Sequence, residues 1–309
     1  MSRFSGFIRK QGQLLIDNHY FALFNTVVLV ILPYTGWLAA TIIALVTLRE
    51  GKKAGAMLLI PALIVDFIVL KTTISTDGAI IGCFLSYIPC YLAAIVLRVT
   101  TSWRAVSCAF FLMVLLAMCL LQALSPEFIT QQYVYLREIL HQLQLEKSFS
   151  ALSKNVNSTE QSIFANYLVG IQAACVVAST LISLVFARYI QSRIYYPEGF
   201  KREMRLLRAN KVDLLLLILT LVAVKQNYLL AINMLPLILF FFFMTGLSLW
   251  FNCMAIQRMF VPMLILSVVL GFYPHVMLPV YVLVGVLDTL VNFRLYLTNR
   301  AGKAIREVK

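Results

Sequence analysis

The sequence predicts an all-α, polytopic transmembrane helical bundle of about ten membrane helices, several of them short, and three observations lead to that fold class. First, hydrophobic residues make up 61% of the chain and charged residues 13%. That is about half the charged share of a soluble domain, too little polar surface to cover a water-exposed globule. Second, apolar runs of membrane-crossing length recur along most of the 309 residues. Third, the basic residues gather in alternate gaps between those runs, as the positive-inside rule requires.

Residues 1–20 are too polar to span, but Phe4, Phe7, Ile8, Gln11, Leu14 and Leu15 recur at helical spacing among Arg3, Arg9 and Lys10. This pattern predicts an interfacial N-terminal helix. No small-residue cleavage pattern follows the first apolar run, so no cleavable signal peptide is expected. The run Phe21 to Leu48 is long for one span, and Pro33 and Gly36 interrupt it. It is expected to form two short helices, 20–33 and 35–48, around a Pro33-Tyr34-Thr35-Gly36 turn. Further helices are expected at 54–70, 79–97, 105–124, 163–187, 212–224, 228–249, 259–272 and 276–294.

With the N-terminus inside, this arrangement puts 21 of the 26 basic residues on the cytoplasmic side and leaves only Lys71, Arg137, Lys147, Lys154 and Lys225 outside. An even number of spans keeps both basic ends in the cytoplasm, and a bacterial cytoplasmic (inner) membrane is the expected location. The net charge of +13 then reflects topology and contact with the lipid bilayer, and no nucleic-acid partner is expected.

Two segments lie outside the spans, and the chain is otherwise treated as a single integral membrane domain over 1–309. An outer loop, 125–161, opens on Ser125-Pro126-Glu127 as a helix start and carries Tyr133, Leu136, Leu140 and Leu143 at helical spacing, so it should hold an amphipathic helix. A cytoplasmic basic segment, 188–211, carries seven basic residues against Glu198 and Glu203. Its turn residues Pro197 and Gly199 would fix a defined shape. It is either pinned by anionic headgroups or docks cytoplasmic or membrane protein partners. In the second case Arg188, Gln191, Pro197, Gly199, Phe200, Glu203 and Arg208 are the candidate docking residues.

The order of Arg188 and Gln191, then Pro197-Glu198-Gly199-Phe200 with Glu203 and Leu207-Arg208, resembles the YybS-like family of bacterial multi-pass membrane proteins of unknown function. The closing run Gly285 to Arg294 with Asp288, the Pro33-Tyr34-Thr35-Gly36 turn and Glu50-Gly51 fit the same family. The chain departs from it at Thr245-Gly246, where a Gln-Gly pair is expected, and at Pro-Glu-Gly in place of Pro-Gly-Gly. That family is distantly similar to the S-components of energy-coupling-factor transporters. The resemblance implies a membrane subunit that holds a vitamin-like ligand and borrows ATP hydrolysis from partner subunits.

Asp66 and Asp288 are the two acids well inside apolar runs. A charge at the bilayer centre costs roughly 2.5–3.5 kcal/mol even on the lenient insertion scale, so each should face the bundle interior. Asp288 and Asn292 share a helix face, and Arg294 is close enough to pair with the acid. Asp66, Asp288, Asn292, Asn25, Asn233 and Trp250 are the candidate ligand-binding residues, the alternative being that they link or pack helices.

No catalytic residues, metal site or cofactor are expected. The three histidines are scattered, the six cysteines sit in apolar runs as small buried hydrophobes with no C-x-x-C, and no nucleotide-binding or nucleophile motif occurs. The expected function is therefore small-molecule binding or transport without enzymatic activity. The alternative is a non-transporting scaffold or assembly protein that docks cytoplasmic partners.

Overall fold

The computed structural model describes residues 3–124, 126–142, 158–196, 199–254, 271–291 and 293–294, with isolated positions between 261 and 268. Among them every regular element is an α-helix: α1 Arg3–Asp17, α2 His19–Ile31, α3 Gly36–Glu50, α4 Lys52–Lys71, α5 Thr76–Thr100, α6 Trp103–Leu124, α7 Pro126–Gln142, α8 Ser158–Tyr195, α9 Gly199–Leu206, α10 Lys211–Lys225, α11 Leu229–Met254 and α12 Pro274–Val291. The chain divides into two compact units, Met1–Met113 with Cys175–Glu203, and Val114–Ala174 with Met204–Lys309.

The helices are apolar on the outside. Along α4, Met57, Ile60, Ile64 and Ile68 are exposed, and along α6 so are Leu112, Leu116 and Leu120. These are stripes at helical spacing turned away from the interior. Such patches are tolerated in a monomer when the surrounding solvent is itself hydrocarbon.

Among the described residues five helices are long and apolar enough to cross a membrane, Lys52–Lys71, Thr76–Thr100, Trp103–Ala123, Gln161–Tyr195 and Leu229–Met254, or six if the bent pair Arg9–Asp17 and His19–Ile31 counts as one, which supports a helical bundle without showing all ten expected spans. The physical reason is length. Helices α3 and α10 have 15 residues each, about 22 Å, short of a hydrocarbon core of about 30 Å. The helix expected at 259–272 lies largely outside the described residues.

In the first unit α3 is the centre. Every residue from Ala39 to Leu48 is buried, and α2, α4 and α5 pack around it. The turn before it falls where the sequence placed it, with Tyr34 at φ 65° and the Thr35 hydroxyl donating to the carbonyls of Leu29 (2.5 Å) and Leu32 (3.1 Å). Gly51, at φ 113°, closes α3 in a conformation that suits glycine.

At the end of α3 the Thr47 carbonyl accepts from the capping Gly51 N–H at 3.1 Å, and other helices add donors to this last turn. Arg98 Nη1 donates to Thr47 O at 3.0 Å and Gln191 Nε2 to Leu48 O at 3.4 Å. Before α3, the chain bends by 111° between α1 and α2, where Asn18 Oδ1 accepts from Phe21 N. Gly12 of α1 is packed against Ile190 and Ile194 of α8.

In the second unit α11 and α12 make the closest helix crossing. A Cβ on Gly246 would overlap the Tyr281 carbonyl, and one on Gly285 would overlap the Phe242 carbonyl. This is the small-residue contact that lets membrane helices approach. Beside it Trp250 and Tyr281 stack edge to face, with ring centroids 5.2 Å apart. Pro236 interrupts neither α11 nor its packing, whereas Pro33 lies in the turn between α2 and α3. The outer amphipathic helix is present as α7, which begins at Pro126; Tyr133 packs edge-on to Phe164 and Gln132 accepts from Gln172. Gly285→Val should therefore lower the unfolding midpoint in detergent by the equivalent of about 2 kcal/mol or more, followed by intrinsic tryptophan fluorescence. An unchanged midpoint would show that the crossing is not so tight.

Candidate functional site

The two intramembrane acids fall in different units and have different surroundings. Asp288 of α12 is 1% exposed and is held by two arginines. Arg294 Nε donates to Asp288 Oδ2 at 3.0 Å, and Arg208 Nε lies 3.8 Å from the same oxygen. The arginines reach further: Arg208 Nη2 donates to the Asp288 carbonyl at 2.8 Å, and Arg294 Nη2 to the Leu207 carbonyl at 2.7 Å. Ser248 Oγ of α11 donates to Met204 O at 2.6 Å and accepts from Arg294. The carboxylate thus pins the chain after α9 to α11 and α12, which makes Asp288 a helix-locking residue.

Asp66 of α4 is 9% exposed, and its Oδ2 has no hydrogen-bond partner. It lines a cavity of about 350 Å³ in the first unit. Leu32, Pro33 and Tyr34 form one wall, Trp37 and Ala40 of α3 another, and Ser86 and Tyr87 of α5 a third. Ser179, Thr180 and Ser183 of α8 complete it. The frame is braced by backbone-seeking hydroxyls: Ser183 Oγ donates to Trp37 O at 3.0 Å, and Thr41 Oγ1 to Trp37 O at 2.9 Å and Ser183 O at 3.3 Å. Tyr87, 2% exposed, holds its hydroxyl close to Gly36.

Of the other candidate ligand residues, none of the described ones lines this cavity. Asn25 donates to Phe21 O of its own helix at 2.8 Å. Asn233 is fully buried in the second unit, with both side-chain polar atoms unpartnered and its carbonyl against Gly170. Trp250 packs on Tyr281, and Asn292 lies outside the described residues. The sequence reasoning missed the hydroxyls of Ser86, Ser179, Thr180 and Ser183. The signal was present, because Ser179-Thr180-x-x-Ser183 sits mid-way along an apolar run with 179 and 183 on one face.

The 188–211 segment begins as a continuation of α8, which runs to Tyr195. Several of its candidate docking side chains face partners in their own unit. Arg188 binds Glu203 through two bonds, Nε to Oε2 at 3.0 Å and Nη2 to Oε1 at 2.5 Å, and donates to Gln191 Oε1 at 2.7 Å. Trp103 Nε1 donates to Glu203 Oε2 at 3.2 Å. Phe200 packs edge-on to Tyr189, and Gly199 N donates to the Tyr196 carbonyl in the turn. Pro197 lies outside the described residues, and Arg208 serves Asp288.

All six cysteines are free, and Cys108, Cys119 and Cys175 are exposed rather than buried; an apolar run does not say which of its faces meets lipid. Among the described residues no three His, Cys, Asp or Glu side chains gather as a metal site. Comparison with family models, curated proteins and solved structures returns no match.

Removing one counter-charge from Asp288 leaves a buried carboxylate short of a partner, a loss of about 3–5 kcal/mol. Arg294→Ala should therefore destabilise the protein strongly in thermal unfolding, and Asp288→Asn introduced into the same variant should recover part of the loss. If the double variant is no more stable than Arg294→Ala, the ion pair is not what Arg294 provides.

Proposed function

We propose that this chain is a non-enzymatic membrane subunit that binds a small molecule in the cavity beside Asp66, in the manner of an S-component of an energy-coupling importer. The observation that carries the proposal is that Asp66, whose buried Oδ2 has no hydrogen-bond partner, is among the residues lining a cavity of about 350 Å³. Structural polar groups in membranes are met by neighbouring helices, as Asp288 Oδ2 is by Arg294, although Asp288 Oδ1 has no hydrogen-bond partner of its own. A group left unsatisfied beside open space is placed for a ligand instead.

In this proposal both termini face the cytoplasm of a bacterial cell, and the short apolar helices join the long ones to make about ten membrane helices. Lys52 and Lys53 then mark the inner end of α4, and Asp66 lies about 20 Å further along it, so the cavity belongs to the outer half of the bilayer. Energy for release would come from partner subunits, as the resemblance to the YybS-like family implies, because the sequence carries no nucleotide-binding motif. A second reading, a scaffold that docks cytoplasmic partners through 188–211, is favoured by Asp288, whose partners are all helix-locking. Recovery of partners that are lost on Gly199 substitution, without any ligand effect, would select it.

Two measurements test the proposal. Purified protein screened against pooled water-soluble metabolites should gain thermal stability with at least one pool, and Ser179→Trp, which fills the cavity, should abolish the gain. If no pool stabilises the protein, or if Ser179→Trp retains the full gain, the cavity is not a ligand site. For orientation, alkaline phosphatase fused after residue 155 should be active and after residue 201 inactive; equal activity at both would contradict the inside and outside assignments.

A further inference from the structure

Resting on the cavity as a ligand site, we propose that its ligand is a small organic cation whose ammonium N–H groups meet Asp66 and the hydroxyl oxygens of Ser86, Thr180 and Ser183. Charge is the first ground. The cavity wall contains one acid, Asp66, and no Lys, Arg or His. Asp66 Oδ2 is sealed from solvent without a partner, and a buried charge is costly unless it is paired. A positively charged ligand supplies the counter-charge that two arginines supply to Asp288.

Hydrogen-bond polarity is the second ground and is independent of charge. A hydroxyl has one hydrogen to give and lone pairs to receive. Ser86 Oγ gives its hydrogen to Gly82 O at 2.8 Å, and Thr180 Oγ1 to Val176 O at 2.7 Å. Ser183 Oγ gives its hydrogen to Trp37 O at 3.0 Å or Ser179 O at 3.1 Å. These three hydroxyls therefore have lone pairs and no hydrogen left to offer, so of the lining groups they and the carboxylate can only accept, while Ser179, Tyr87 and the Trp37 indole can still donate. An ammonium supplies the donors that the carboxylate and these three hydroxyls lack.

Size and lining decide between an inorganic ion and an organic one. A cavity of about 350 Å³ is in the range of small-molecule pockets and far exceeds a bare metal ion. The rings of Trp37 and Tyr87 and the apolar side chains of Val30 and Leu70 line it, surfaces that suit a cation's hydrocarbon part and, for the rings, its charge.

The test uses the purified full chain in detergent, with phenethylammonium as the probe. Its neutral and anionic counterparts, hydrocinnamyl alcohol and hydrocinnamate, and sodium chloride alone are the comparisons, all read by isothermal titration calorimetry. The expected result is binding of phenethylammonium in preference to both counterparts, weakened on the order of 30-fold or more by Asp66→Asn and several-fold by Thr180→Val. Gel filtration and circular dichroism establish that each variant is folded; if Asp66→Asn is not, Thr180→Val carries the test. Equal or tighter binding of hydrocinnamate or the alcohol would overturn the cationic assignment while leaving a ligand site in place. Sodium chloride alone accounting for the heat, unchanged affinity in the folded variants, or no phenethylammonium binding at all would also overturn it. The broader proposal of a ligand site fails separately, only if the metabolite pools give no stabilisation.

Discussion

Within hydrocarbon a polar group has no water to turn to, and leaving it unpaired costs several kcal/mol; most of what is distinctive in this protein follows from how the chain meets that constraint. The Thr47 and Leu48 carbonyls, at the end of the buried 39–48 stretch of α3, are reached from other helices by Arg98 and Gln191. Asp288 draws in Arg208 and Arg294, which carry on to the carbonyls of Thr289 and Leu207. Glu203 is closed by Arg188 and the Trp103 indole. In each case a polar side chain meets a buried group and ties together segments distant in sequence, so satisfying the polar groups and fixing the helices are one process.

Against that pattern Asp66 stands out. Its neighbourhood contains hydroxyls in abundance, yet Ser86, Thr180 and Ser183 spend their hydrogens on backbone carbonyls and offer the carboxylate nothing. Of these, Ser183 also braces α8 against α3 through the Trp37 carbonyl, so the wall is tied in place while Asp66 Oδ2 has no partner. Rigid walls around an unmet charge are what a preorganised binding site requires. Gln122 Nε2, Asn166 Oδ1, both side-chain polar atoms of Asn233 and Asp288 Oδ1 lack partners as well, but none of these residues lines this cavity, and Asp288 has its charge met by arginines at its other oxygen.

The architecture was legible in the sequence to the extent that hydropathy decides it. The break at Pro33 to Gly36, the helix start at Pro126 and the long α4, α5, α6, α8 and α11 all follow from apolar runs and their interruptions. The capping box of α10, in which Asn210 and Asp213 satisfy each other's backbone, has a sequence signature as well. What hydropathy does not encode is whether a short apolar helix crosses the bilayer, because length and apolarity separate at 15 residues. Nor does it encode which face of a helix meets lipid, and the exposed Cys108, Cys119 and Cys175 illustrate this. At the site level, both acids were visible as expensive charges, but their fates were not. Arg294 lies six residues from Asp288, whereas the partner Arg208 is 80 residues away, and Asp66 shares its cavity with hydroxyls from two other helices. Those distances in sequence are set by helix packing alone.

If Asp66 is the polar group the fold leaves unmet in favour of a ligand, the ligand-free protein carries its cost, as binding sites often do. The most direct test is the thermal unfolding midpoint of ligand-free Asp66→Leu, compared with wild type in the same detergent. A midpoint equal to or above that of the wild type is predicted. A midpoint lower by several degrees would show that Asp66 helps to hold the helices together as Asp288 does, and would remove the basis for placing a ligand there.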